Sequence, residues 1–345
     1  MWRSDLICGC CLTIFVLSGV QGQETDPAPS ERVIDRLQKD AAQVASLVRS
    51  PLAKDFLEAT TMLKEPTVRV VYRNADKTKA MTSRAYDELP ADQQKGWTAR
   101  EFPPEFYFET AYGSPLVYTR LLDLLQPHWT SGQPRKLLDF GYGTIGHLQL
   151  LAHCGFDAHG VDVEPVFQPL YSEPGDTGAI GSGKVTIHTG QWPAIPELQK
   201  AIGDGYSVIT SKNTLKSGYL HPSPPQGQTV DPSRLLHLGV SDQEFLEHVR
   251  STLLPGGIFL IYNICPPQNP PDQPYLPWAD GKSPFSRDDL ERAGFEVLAF
   301  DVEDQAWVLD CFASLGYAEG KSREEFAKDY FCWYTIVRRP VEKLQ

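Results

Sequence analysis

Apolar and polar positions change rhythm along this chain, and the change divides it. Ser30 can cap a helix, with Glu31 in its first turn. Ile34, Leu37, Ala41, Val44 and Val48 then recur at three- and four-residue steps, the period of an amphipathic helix with one apolar face. Pro51 breaks that helix, and further helical turns extend to about Leu63. Thr67–Tyr72 (TVRVVY) predicts a short strand, and residues 73–104 are polar with no strong period. Phe106–Leu125 is rich in Tyr and Phe and ends in a helix carrying Tyr118, Leu121, Leu122 and Leu125. From Arg135 onward the pattern becomes alternating strands and helices. Strands are predicted at Lys136–Phe140, Ala158–Val163, Lys184–His188, Tyr206–Thr210, Ile258–Ile264, Glu296–Asp301 and Phe331–Arg338. Helices fall at His147–Cys154, Asp242–Leu254 and Phe285–Ala293. That alternation predicts an α/β fold: a mostly parallel seven-stranded sheet with helices on both faces, preceded by a helical N-terminal region. The proline-rich stretches His221–Pro232 and Pro266–Pro277 are too stiff for helix or central strand, and both follow strands as loops.

Residues 1–22 stand apart from this pattern. Arg3 precedes an uncharged, mostly apolar stretch, Leu6–Val20, and Val20 and Gly22 occupy the −3 and −1 positions for cleavage before Gln23. The expected organisation is therefore a signal peptide over 1–22, a helical cap region over 23–128 and an α/β domain over 129–345. An exported, periplasmic or secreted, protein follows, the alternative being a leader kept as a cytoplasmic-side anchor. Beyond the leader no membrane segment is expected.

The net charge of −12, with no Lys/Arg-rich run, argues against nucleic acid as a partner. Of the seven cysteines, Cys8, Cys10 and Cys11 lie in the leader. Cys154, Cys265, Cys311 and Cys332 are widely and irregularly spaced beside apolar runs, which predicts buried thiols, leaves one unassignable disulfide open after export, and gives no zinc pattern. No metal site is expected.

The chemistry concentrates after the first predicted strand. In an open parallel sheet, ligands bind beyond the carboxyl ends of the strands where strand order reverses. LLDFGYGTIGH lies there: Gly141 and Gly143 allow a sharp turn with backbone N–H groups facing a ligand. Asp162 follows Asp139 by 23 residues, at the tip of the second strand, where a carboxylate can accept from both hydroxyls of a ribose. Lys212, Asn213, Tyr219 and His221, in SKNTLKSGYLHP after the fourth strand, are candidates to meet a second substrate.

This arrangement resembles class I S-adenosylmethionine-dependent methyltransferases, whose first motif is acidic-x-Gly-x-Gly followed by an acidic residue on the second strand. LLPGGIFLIYN, YSVITSKNTL and FCWYTIVRR are similar to that family's fifth, fourth and final antiparallel strands, so the resemblance covers roughly residues 110–340. It implies a Rossmann-like fold, S-adenosylmethionine as cofactor and methyl transfer to an acceptor. The long loops after the fourth and fifth strands point to a small-molecule acceptor. By the same resemblance Asp139, Gly141 and Gly143 hold the methionine end of the cofactor and Asp162 its ribose. Gly190, Gln191 and Trp192 lie near the adenine. Independently of the resemblance, Lys212, Asn213 and His221 are the candidate catalytic residues, as bases for an alcohol or amine acceptor. Tyr107, Tyr112 and Tyr118 belong to a segment that lids the cofactor in the family, or else form an aromatic core. His147 caps its helix or touches the cofactor, whereas His153, His159 and His188 read as packing or surface residues.

The chain departs from the family pattern at three places. Glycine stands at Gly146 rather than at Ile145, Gln191 replaces an acidic residue, and Ser207 stands where Asp commonly opens the fourth strand. Gly141, Gly143 and Gly146 also spell Gly-x-Gly-x-x-Gly, the dinucleotide fingerprint. An NAD-dependent oxidoreductase is thus the rival reading. A third is an exported protein that uses a methyltransferase fold for binding without catalysis.

Overall fold

A computed structural model of the chain describes residues 31–109, 114–130 and 132–341. The leader, its cleavage site and Tyr112 lie outside the described residues.

The N-terminal region opens with α1 (Val33–Val44), whose buried face is Val33, Ile34, Leu37, Ala41 and Val44. Ser50 accepts from the Ala53 N–H and Pro51 sits at the first turn, which starts α2 (Pro51–Glu58). The strand expected at Thr67–Tyr72 forms, over Arg69–Asn74, and the polar stretch after it holds structure that its sequence hides. β1 (Arg69–Asn74), β2 (Ala80–Thr82), helix α3 (Ser83–Asp87) and β3 (Trp97–Phe102) give an antiparallel sheet in the order β2-β1-β3. Its inward face carries Arg69, Arg73 and Arg100 between Val71 and Phe102, so no apolar alternation marks it. Helix α4 (Tyr118–Leu125) then buries Tyr118, Leu121, Leu122 and Leu125.

The second region runs β4 (Lys136–Phe140), α5 (Gly146–His153), β5 (Asp157–Asp162), α6 (Phe167–Leu170), β6 (Gly178–Ile180), β7 (Gly183–Thr189), α7 (Pro196–Ile202), β8 (Tyr206–Lys212), α8 (Ser217–Leu220), α9 (Asp242–Thr252), β9 (Leu253–Cys265), α10 (Arg287–Arg292), β10 (Glu296–Glu303), α11 (Gln305–Ser314), α12 (Arg323–Phe326) and β11 (Phe331–Arg338). The strands form one sheet in the order β10-β11-β9-β8-β4-β5-β7-β6. The pairs β4–β5, β5–β7, β4–β8 and β8–β9 are parallel, and β11 runs antiparallel between β9 and β10. All seven expected strands are present. The eighth, β6, is too short for a sequence period and adds an antiparallel edge to β7. This is a Rossmann-like α/β sheet, and the chain changes direction across it between β4 and β8.

Helices cover both faces. One apolar cluster joins residues of α1, α2, α4, α5 and α11 to one side of the sheet, from Val33 to Ile336. The other gathers Phe140, Trp192, Phe245, Phe259 and Phe285 with α7, α9 and α10. A well-packed side chain of that size contributes roughly 1.5–3 kcal/mol on burial. Helix α9 begins at a reciprocal capping box between Ser241 and Glu244. Cys154, Cys265, Cys311 and Cys332 are free and buried, as their apolar settings predict.

Candidate functional site

The site is built where β4 and β8 diverge. After β4 the backbone takes positive φ at Gly141 (76°) and Gly143 (60°), and the Gly141 N–H donates to the Val161 carbonyl at 2.8 Å. Thr214, just past β8, presses on Gly141 so closely that a Cβ there would lie 2.1 Å from its Oγ1. Only glycine tolerates both demands.

Asp139 ends β4 inside a closed polar cluster. Its Oδ2 accepts from the Tyr118 hydroxyl at 2.5 Å and from His147 Nε2 at 2.8 Å, and its Oδ1 accepts from Thr210 Oγ1 at 2.6 Å. The Tyr118 ring stacks on His147, with centroids 4.1 Å apart. Burial first, then the carboxylate beside it, pushes the Tyr118 hydroxyl well above its ordinary range, so it remains a donor. The motif carboxylate is thereby held by α4, α5 and β8 together. Asp139 could be singled out from spacing, but not its partners, which come from three separate segments.

Asp162, at the tip of β5, turns toward the glycine loop. Its Oδ2 accepts from the Gly143 N–H at 3.3 Å and its Oδ1 from the Glu164 N–H at 3.0 Å. Burial raises this carboxyl to about 7, against the pull of those backbone donors. The Thr189 hydroxyl, on the residue paired with Asp162, is buried and has no hydrogen-bond partner among the described residues, as is true of the hydroxyl of Tyr142 from the glycine turn, which lies close enough to feel the Asp162 charge. Polar groups concentrated in this way require a polar partner.

The remaining expected residues divide. Lys212 ends β8 with its ammonium 6.0 Å from the Tyr118 ring centroid. Among the described residues it forms no ion pair or hydrogen bond through its side chain, and desolvation lowers it to about 8 although Asp139 opposes the shift. Asn213 has a left-handed backbone (φ 64°), and its Oδ1 accepts from the Ile264 N–H at 2.7 Å, extending the β8–β9 ladder. His221 sits beyond α8, paired with Asp242 at 2.7 Å, and nearly half its side chain is exposed (48%). Gln191 donates to the His237 carbonyl at 2.7 Å, pinning the loop between α8 and α9. Trp192 packs against Phe140 and Phe245 in the second apolar cluster. Gly146, the glycine that completes the dinucleotide spelling, admits the Phe108 ring, since a Cβ there would meet it at 2.2 Å. Tyr107 donates to Asp176 at 3.0 Å, and its ring packs edge-on against Tyr171, whose hydroxyl donates to the Gly143 carbonyl. His159 and His188 stack with ring nitrogens 3.2 Å apart, and burial lowers His188 to about 4. Ser207 donates to the Pro134 carbonyl at the foot of β8.

Sequence reasoning missed Lys216, four residues after Lys212 in the same loop motif. Its buried ammonium donates to the carbonyls of Ile264 (2.8 Å) and Trp278 (3.0 Å), while Asn263 Nδ2 donates to Leu215 (2.7 Å) and Gly281 (2.9 Å). The loops after β8 and β9 are thus one cross-tied wall above the sheet. Among the described residues no cluster of His, Cys, Asp and Glu is arranged to hold a metal ion.

No protein-family model matches the chain, and no curated protein matches it. Solved structures similar to it include the Haemonchus contortus phosphoethanolamine N-methyltransferase 2 in complex with phosphomonomethylethanolamine and S-adenosylhomocysteine, at 12% identity over 84% of this chain and 75% of that one, with a TM-score of 0.40. The magnesium protoporphyrin IX methyltransferase of Synechocystis PCC 6803 is similar at 13% identity over 65% and 83%, with a TM-score of 0.36. The [4+2]-cyclase SpnF is similar at 15% identity over 68% and 87%, with a TM-score of 0.37. The likeness is one of fold, and the strand order of the sheet establishes that fold by itself.

Proposed function

We propose that the protein is an S-adenosylmethionine-dependent methyltransferase acting on a small molecule. The observation that carries this reading is the switch point itself: a glycine turn after β4 whose Gly143 N–H meets the Asp162 carboxylate at 3.3 Å, at the carboxyl end of a parallel sheet. The residues fit the cofactor. Asp162 offers a carboxylate for two ribose hydroxyls, beside the buried and unpartnered hydroxyls of Tyr142 and Thr189. Gly141 and Gly143 keep the backbone low above β4, while Asp139 sets the turn from beneath through its bonds to α4 and α5.

The bound cofactor would supply an electrophilic methyl group on a good leaving group, so positioning provides much of the rate. The acceptor X–H gains the methyl group and must lose its proton. Lys212, partly buried at the end of β8 and lowered to about 8, would take that proton in its neutral form; its lowered value and its side chain's lack of an ion pair among the described residues support the role. Asn213 and His221, each engaged elsewhere, would support the loop. With an acceptor in hand, Lys212→Met is expected to lower kcat by about a hundredfold or more, within the range of general-base loss, with cofactor affinity within about twofold of wild type. Wild-type turnover should rise with pH through about 8, as Lys212 deprotonates, and this limb should vanish in the variant. Equal turnover would remove Lys212 from the chemistry.

The dinucleotide reading gains nothing from Gly146, whose open side is filled by Phe108. A thermal-shift panel separates the two: stabilisation by S-adenosylmethionine and S-adenosylhomocysteine but not by NAD is expected, and the reverse would reject the proposal. We further propose export with cleavage before Gln23. N-terminal sequencing of the native protein is expected to begin at Gln23, and an intact Met1 in a soluble cytoplasmic fraction would refute it.

A further inference from the structure

The inward face of the small antiparallel sheet carries three arginines, and one of them has no carboxylate of its own. Residues 71 and 73 of β1 share a face, and Val71 pairs with Arg100 while Arg73 pairs with Thr98. Arg73 and Arg100 are therefore diagonal neighbours on that face. It is the covered face: Val71 and Phe102 are buried there, whereas Val70 on the other side is 37% exposed. The sheet packs against α6, immediately past the tip of β5.

Two of the three inward arginines have carboxylates. Arg69 pairs with Asp176 at 3.3 Å and with Glu173 at 3.9 Å. Arg73 pairs with Glu164 at 3.0 Å and donates to the Lys77 carbonyl at 2.9 Å, while its Nε is buried with no acceptor among the described residues. Arg100 has none. Its guanidinium lies over the Phe102 ring, 4.5 Å from the centroid, and among the described residues it forms no ion pair or hydrogen bond. Glu164 is the carboxylate whose charge reaches it, and Arg73 already holds that group. Half-burying a guanidinium without an acceptor is unfavourable, and an arginine does not relieve the cost by losing its proton. In a protein of net charge −12, one carboxylate thus serves two guanidinium groups at a seam two residues from Asp162.

We infer that Arg100, with Arg73, forms an oxyanion-binding subsite at the seam between the small sheet and the β5 tip, for a phosphate or carboxylate group of a ligand. The planar fork of a guanidinium matches either group through two parallel N–H bonds. Glu164 holds Arg73 in place and leaves Arg100 as the reachable donor. The inference rests on the β5 tip being a ligand-binding edge, and it adds the ligand's charge to the proposed function: a small molecule carrying an anionic group.

The test is calorimetric titration of the full chain at constant ionic strength with inorganic phosphate, ethyl phosphate and acetate, on wild type, Arg100→Met and Arg100→Lys. Saturable binding of at least one anion to wild type is expected, weakened at least tenfold in Arg100→Met and less in Arg100→Lys, which keeps the charge but loses the fork. Preference for ethyl phosphate over inorganic phosphate supports an anionic group carried on an organic ligand, and the reverse supports a free anion at the same site. A preference for acetate assigns the site to carboxylates. No saturable binding to wild type, or equal binding by a folded Arg100→Met, overturns the inference. S-adenosylmethionine affinity is measured on the same proteins and should not change in Arg100→Met. If wild type binds no cofactor, the methyltransferase reading fails, and the anion titration still decides this one.

Discussion

Asp139→Ala is expected to destabilise the protein by about 3–5 kcal/mol, the cost of breaking a buried charged network from one side. The carboxylate receives Tyr118 at 2.5 Å, Thr210 at 2.6 Å and His147 at 2.8 Å, all in the interior. Its removal leaves three buried polar groups without the carboxylate they share. Tyr118→Phe removes one donor and leaves the carboxylate two, so a loss of about 1–2 kcal/mol is expected. Chemical denaturation of the two variants checks the ratio. A loss for Asp139→Ala no larger than for Tyr118→Phe would mean that the carboxylate is not the hub.

Asp162→Ala should weaken S-adenosylmethionine binding by about tenfold to a hundredfold, equivalent to roughly 1.5–3 kcal/mol, with the fold retained. The pH dependence is the sharper signature. The folded carboxyl sits near 7, above its ordinary value of 3.8, because burial penalises its charge. Ribose hydroxyls donate best to the ionised form, so affinity should climb as pH rises through about 7 and then level off. Stability runs the opposite way. Between about 4 and 7 the folded state holds a proton that the unfolded chain has released, so the contribution of Asp162 is complete below that window and lost as pH rises through about 7. Asp162→Asn should show neither trend. A pH-independent wild-type affinity, measured by calorimetry, would take Asp162 out of the binding site.

Much of the second region can be read from sequence because its central strands are buried on both faces, mostly as apolar runs, and alternate with helices. KLLDF, YSVIT and FCWYTIVR each became a strand. The glycine turn and the two aspartates were legible for the same reason: backbone geometry fixes those residue types at those positions. The partners of each site residue were not. Thr210, Tyr118 and His147 converge on Asp139 from three segments, and no local pattern encodes that meeting. Trp192 and Gln191 are spaced as ligand neighbours are, but the structure gives the first to the core and the second to a loop carbonyl. Of the three-stranded sheet only β1 was legible, as the strand expected at Thr67–Tyr72; β2 is three residues long and β3 sets Arg100 on the inward face, so neither shows an apolar alternation, and ion pairs of Arg69 and Arg73 tie the sheet across the seam.

The grip of α4 on Asp139 has a consequence for how the chain can be divided. Tyr118 belongs to the N-terminal region and Asp139 to the sheet, and a single apolar cluster runs from Val33 to Ile336 across both. Excising residues before 129 would expose the α5 face of the sheet and strip the glycine turn of a ligand to its own carboxylate. The two regions are therefore interdependent as folding units, melting as one cooperative transition rather than as two. Any rearrangement that frees the glycine turn must also loosen the N-terminal helices, so the turn and the distant α1 share a single free-energy cost of opening.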